Sequence, residues 1–355
     1  MHLLLFAAAL LSIGPVESGS LNRQPQLATS GGMTALVFGN HGSVWFSKSM
    51  DKAKTFSAPV RVGGDKALAL GRHRGPRVVI RGNMILVSAV LGSSVSNEAH
   101  AHGLPQNGDL VVWRSVDGGT SWAGPVVVDD VPGAAREGLH AMAASSDGTI
   151  AVAWLDLRSK GTKLYGSYSR DAGLTWSKNV LLYEAEGGTI CQCCHPSIAS
   201  DGGSRFLVMF RNVIGESRDL YVTRWDTTAQ TVSSPKKEGT GSWSIDACPM
   251  DGGGLAVING LATTAWRRGE SVFLAQNESS ELELGKGKDV ALAVTKTGSY
   301  VSWTGVDGVE LLTPGSRQPV LIGAKGNFST LLPVTGGGVL ASWECDGSIK
   351  IAALK

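Results

Sequence analysis

All five cysteines and five of the seven histidines of this 355-residue chain fall in a few short segments. Cys191, Cys193, Cys194 and His195 lie within five residues, His100 and His102 alternate, and His73, His140 and Cys248 stand in segments rich in glycine or proline. Thiolate sulfur with imidazole is a ligand set for copper or zinc, and an extended backbone puts both imidazoles of a His-x-His on one side. The spacing matches no standard zinc module. The same sulfurs have a second use, because in an oxidising compartment Cys191 or Cys193 can pair with Cys248, and five cysteines then leave an odd thiol. Both uses stay open on the sequence.

The same segments carry Arg74, Arg77, Arg158, Arg211, Arg218 and Arg267, with Asn212 and Trp266 beside them. A planar guanidinium matches a carboxylate in bidentate fashion, so this set points to an anionic ligand. Glu137 and Asp156 are the carboxylates placed for acid–base work. Arginine, Asn212 and Trp266 would equally serve a binding module without catalysis.

Such scattered residues need a scaffold that brings them together. One pattern recurs seven times: an apolar strand, a turn with Gly or Asp, then a second apolar strand that ends in an aromatic in six of the seven copies. The second strands are residues 35–38, 85–90, 150–154, 206–210, 263–266, 300–303 and 339–343. Each copy continues with a third strand (for example 109–113 and 163–168) and most with a fourth (125–128). Four-stranded units at this period predict an all-β fold, a β-propeller whose radial repetition leaves only short edges. Seven blades are expected, with six as the alternative. The last copy stops after three strands, so an N-terminal strand near residues 21–26 is expected to close the ring.

The turns between third and fourth strands are more specific. Ser115, Asp117, Gly119, Ser121 and Trp122, and again Ser169, Asp171, Gly173, Thr175 and Trp176, fit S-x-D-x-G-x-[ST]-W; Ser49, Asp51, Thr55 and Phe56 form a third copy without the glycine. The carboxylate satisfies turn amides, glycine permits positive φ, and the aromatic packs back on the sheet. These stretches, near 49–56, 115–122 and 169–176, resemble the Asp-box, or bacterial neuraminidase repeat, and the chain is similar to the sialidase-like propeller superfamily.

In a propeller the Asp-box turns mark the back face, and the loops entering first strands and leaving second strands form the front. All the candidate residues named above fall on front-face loops. The resemblance implies a glycoside hydrolase with a three-arginine clamp, for which Arg74 or Arg77, Arg211 and Arg267 are the matching candidates, together with a tyrosine–glutamate nucleophile and an aspartate acid/base. The late tyrosine, Tyr300, starts a second strand and so faces the back. The resulting expectation is a sialidase-like propeller that acts on or binds an anionic glycan, with the copper or zinc site and the non-catalytic glycan or protein binding module as alternatives.

Composition limits the partners. Thirty-two basic and 30 acidic residues leave a formal charge of +2, no basis for nucleic-acid binding, and 43% apolar content argues against disorder. Residues 3–13 form an apolar run followed by Gly14, Pro15 and the small Ser18, which reads as a signal peptide over 1–18 and a single domain over 19–355. The run is too short to span a bilayer. A secreted or periplasmic location is expected.

Overall fold

The computed structural model describes residues 10–64, 66–93, 104–276 and 280–355. It is an all-β, seven-bladed propeller of antiparallel four-stranded sheets. Blade one comprises Asn22–Ser30, Met33–Asn40, Ser43–Ser49 and Val60–Gly63, in that spatial order from the channel outward. Blade three repeats it with His140–Ala144, Ile150–Asp156, Lys163–Ser169 and Val180–Tyr183. In blade four the outer position is shared by the two-residue strands Thr231–Val232 and Lys236–Lys237, both paired to Leu220–Asp226. The first strands of successive blades pack side by side, and the last of them, Asn327–Pro333, packs against Asn22–Ser30 of blade one, so the ring is closed.

Ring closure uses other residues than expected. Residues 21–26 do not complete the seventh blade: Asn22–Ser30 is the inner strand of the first. The seventh blade takes its outer strand from Leu11–Ile13, paired to Ser348–Leu354 with Leu11 opposite Ile351 and Ile13 opposite Ile349. The physical reason lies in the alternation: Leu11 and Ile13 pack with buried Ile349 and Ile351 while Ser12 faces outward to accept a hydrogen bond from Lys350 Nζ at 2.9 Å. These are residues that the export reading assigns to the signal.

The recurrent aromatic of the second strand is the core of each blade. Phe38, Trp154, Phe210, Trp266, Trp303 and Trp343 are all buried. Trp266 thus belongs to the packing, stacked on Phe273 with ring centroids 6.0 Å apart, and not to a binding surface. Between blades, an indole meets a glycine of the preceding sheet: Trp113 on Gly63, Trp225 on Gly166, Trp303 on Gly285 and Trp343 on Gly323. Any Cβ there would lie within 3 Å of the ring, so glycine is what lets adjacent sheets approach.

The three Ser-Asp turns share one hydrogen-bond pattern. Asp117 Oδ1 accepts the amides of Thr120 and Ser121 and the Ser115 hydroxyl, and Oδ2 accepts the Ser121 hydroxyl. Asp51 repeats it in full and Asp171 with the Thr175 amide alone, and these donors hold all three carboxyls below their ordinary range. Ala53 stands where the glycine of the other copies stands, at φ 62°, so the third turn keeps the left-handed backbone without glycine. Trp122 packs edge-on against Phe46 of blade one at 5.3 Å.

Candidate functional site

The first strands line a central cavity of about 210 Å³ whose polar wall includes Gln24, His73, Arg77 and His195. Inner strands of blades one, six and seven each carry a bulge near their front-face end, between Arg23 and Gln26, Lys288 and Ala291, and Asn327 and Thr330. The bulge residues Gln24, Asp289 and Phe328 have φ of 56°, 57° and 49°, and His73, on the loop entering blade two, has 68°. Four non-glycine residues in a conformation that L side chains rarely adopt, around one opening, mark a place where side-chain direction was favoured over local backbone energy.

At this mouth His73 Nε2 lies 3.0 Å from Asp289 Oδ1. The His73 ring stacks on His195 at 4.3 Å and meets Phe328 edge-on at 5.1 Å. Asp289 N donates to Asp251 Oδ2 at 2.8 Å, which brings a second carboxyl behind the first. Burial raises the Asp251 carboxyl, whereas at Asp289 the hydrogen bond and charge of His73 overcome burial and lower it. The two neighbouring carboxyls are thus pushed in opposite directions by burial on one side and His73 on the other. Asp251 Oδ1 and Asp289 Oδ2 are buried with no hydrogen-bond partner among the described residues. Glu344, whose Oε1 accepts the Gln24 amide at 2.7 Å, is raised by burial. His195 is held well below 6.5 by burial and by its cationic neighbours, and its Nδ1 accepts the Gly252 amide.

The arginines chosen from sequence have other duties. Arg77 donates to the carbonyls of His73, Gly75 and Pro76, and Arg211 to those of Asp251, Arg218 and Arg267. Arg74 donates to the Glu137 carbonyl at 2.6 Å and lies 3.4 Å from its carboxylate. Arg267 donates to the Gly269 carbonyl. Arg74 and Arg211 tie neighbouring front-face loops together, whereas Arg77 and Arg267 donate within their own loops, so each guanidinium already has backbone partners. Arg158 is bound by Asp156 and Asp130, and Asp156 also accepts from Trp154 Nε1, so this carboxylate anchors a loop and a tryptophan. Asn212 is buried and donates to the Tyr183 hydroxyl. Exposed cations near the mouth are Arg23, Arg72 and Lys288. Arg23 Nη1 reaches over Gly71, 3.2 Å from where a Cβ would stand.

Of the metal candidates, His100 and His102 lie outside the described residues. His140 is fully buried, contacts Ser88 Oγ at 2.9 Å, and is lowered to about 3 by burial and Arg77. Cys191, Cys193 and Cys194 gather on one turn, all buried, with their Sγ atoms within 4.8 Å of one another. Cys191 Sγ is 3.6 Å from each of the other two and 3.6 Å from Arg218 Nη1. Hydrogen bonds among the sulfurs, with Arg211 near, favour thiolate at Cys191; the same contacts raise Cys193, and burial raises Cys194. His73, His140, His195 and Cys248 are not in this cluster. Cys248 is exposed and all five thiols are free, so the expected bridge from Cys191 or Cys193 to Cys248 is not formed.

Asp251, Asp289, Glu344, Gln24 and Phe328 were not singled out as site residues in the sequence. The one local signal was charge: Asp289 is an acidic residue entering an apolar inner strand.

No protein-family model and no curated protein sequence matches the chain. Solved structures do. An ulvan lyase described as a new family of polysaccharide lyase is similar with a TM-score of 0.60 at 10% identity, over 97% of this chain and 96% of that one. An α-L-arabinofuranosidase from Fusarium graminearum has a TM-score of 0.56 at 12% identity, over 99% and 98%. A Hadza microbial sialidase has 0.56 at 15%, over 94% of this chain and 66% of its own length. What the chain shares with these structures is the β-propeller fold. Among the described residues no helix is long and apolar enough to cross a membrane.

Proposed function

We propose that this chain is an exported, glycan-acting propeller that holds an anionic glycan over the front-face mouth and moves a proton with His73 and Asp289. The observation that carries the reading is the His73–Asp289 contact backed by Asp251, with the two carboxyls shifted in opposite directions. Asp289 orients the imidazole and stabilises it when it gains a proton; Asp251 holds the Asp289 backbone in place through its amide. The anionic preference rests on Arg23, Arg72 and Lys288, exposed near the mouth, rather than on the buried arginines. Glu137, half-buried beside Arg74, remains the second carboxylate candidate on the neighbouring loop. Neighbours of the same fold named as a sialidase, a polysaccharide lyase and an arabinofuranosidase support a glycan as the substrate class.

The test is a panel of sialosides, uronate-containing polysaccharides and neutral arabinosides. Product is read both as released reducing ends and as ultraviolet absorbance of unsaturated sugars. Turnover of an acidic glycan, lost in His73→Ala and weakened in KM by Arg72→Ala, is the expected result. Turnover confined to neutral glycans removes the anionic assignment, and turnover unchanged in His73→Ala removes the proton-transfer pair.

A further inference from the structure

We propose that Cys191, Cys193 and Cys194 form a three-thiolate site for copper(I), separate in chemistry from the proton-transfer pair. The sulfurs already stand close to binding distance of a common centre. With metal–sulfur bonds of about 2.3 Å, a cation amid three thiolates sets the sulfurs roughly 4 Å apart; here Cys191 Sγ is 3.6 Å from each partner and all three lie within 4.8 Å. Adjustments of a few tenths of an ångström suffice.

The donor set selects the metal. Structural zinc takes four ligands, whereas the cluster supplies three sulfurs and, among the described residues, no imidazole or carboxylate. His195, next in sequence, is committed elsewhere, its Nδ1 accepting the Gly252 amide and its ring stacked on His73. Soft sulfur without a hard fourth donor suits copper(I). Met250 packs against the trio, adding a second kind of soft sulfur to the surroundings. Three thiolates and one monovalent cation carry a net charge of −2, and Arg218 stands 3.6 Å from Cys191 to offset it. Arg218 also lines a cleft of about 390 Å³ with Val213, Ser244 and Ile245, so its guanidinium stands between this cleft and Cys191. On binding, three copper–sulfur bonds form and the protons held by the thiols pass to the buffer, with no change of oxidation state.

The whole chain, purified under reductant and without oxygen, is titrated with copper(I) buffered by a bathocuproine chelator. One copper per chain, with an ultraviolet thiolate-to-copper band, is expected. Copper should protect Cys191, Cys193 and Cys194 from alkylation and leave Cys345 reactive. Cys191→Ser and Cys194→Ser should each weaken copper retention at least tenfold, and Cys345→Ser should not. No copper retained by the folded wild type overturns the proposal. So does alkylation of the three thiols that copper leaves unchanged, zinc displacing copper at equal concentration, or a disulfide between any two of the three found by peptide mapping of protein isolated without reductant. Wild-type titration and alkylation decide the matter even where a serine variant does not fold.

Discussion

His73 and Asp289 are 216 residues apart in sequence and 3.0 Å apart at the mouth of the central channel. Each sits at positive φ, His73 on the loop entering blade two and Asp289 in the bulge that opens blade six. Neither conformation is needed to build a sheet. Together they turn an imidazole and a carboxylate toward one another across the ring, which is a property of the closed propeller and of no single blade.

Asp289→Asn therefore separates fold from chemistry. The carboxamide retains the shape and the backbone N–H to Asp251 but removes the charge that stabilises a protonated imidazole. Turnover of the glycan found in the panel is expected to fall by about 10²- to 10⁴-fold, with little change in melting temperature. A variant within twofold of wild-type kcat would show that His73 does not depend on this partner.

The scaffold was legible in the sequence because it repeats. Trp154, Trp303 and Trp343 recur at one place in the pattern, and all are core residues. Chemistry was less legible because direction is set by tertiary contacts. The arginines at 74, 77 and 211 end on backbone carbonyls, of neighbouring loops for Arg74 and Arg211 and of its own loop for Arg77, a choice invisible in composition. Asp289 was overlooked because a lone acid in an apolar strand reads as an edge residue until the bulge re-aims it. The C-x-C-C run was visible as a cluster, but a turn drawing three sulfurs together and a chain that stretches Cys248 away give the same spacing.

Blade spacing can be probed where an indole lies on a glycine. A Cβ on Gly323 would sit 2.4 Å from Trp343 Nε1 and 2.6 Å from its Cε2, and Trp343 is buried. Gly323→Ala is expected to cost about 1–3 kcal/mol by forcing blades six and seven apart. Trp343→Phe in the same chain should recover part of that cost, so a double-mutant cycle from urea unfolding would give a favourable coupling. Additive effects would mean that the two residues do not share the contact.

Asp129 makes stability depend on pH. It is buried, accepts the Leu110 amide through Oδ1 at 2.7 Å, and has no partner for Oδ2 among the described residues. Burial, then the charge of Asp109, push its carboxyl from the ordinary 3.8 up to about 7. Between those values the folded chain binds more protons than the unfolded one, so the contribution of this group to stability falls as the pH rises from about 4 to about 7. Asp129→Asn keeps the Oδ1 acceptor and removes the titration. Its unfolding midpoint should decline less than that of wild type across this window and exceed it above neutral pH. Parallel profiles would assign the dependence to other groups.

The strand Leu11–Ile13 sets ring closure against export. Cleavage after Ser18 would remove the outer strand of blade seven. It would also remove the Ile13 and Gly14 carbonyls that accept from buried Asn22 Nδ2 at 3.3 and 2.7 Å. An unpartnered buried amide and an uncovered edge both carry a cost. A chain beginning at Gly19 is accordingly expected to melt several degrees below one beginning at Leu10, and Ile13→Asp in the longer chain should reproduce much of the loss. N-terminal sequencing of protein recovered from the medium or periplasm then shows which form the cell makes. If the shorter form is made and melts as high as the longer one, the seventh blade stands on three strands, and the pairing of Leu11 with Ile351 contributes nothing to stability.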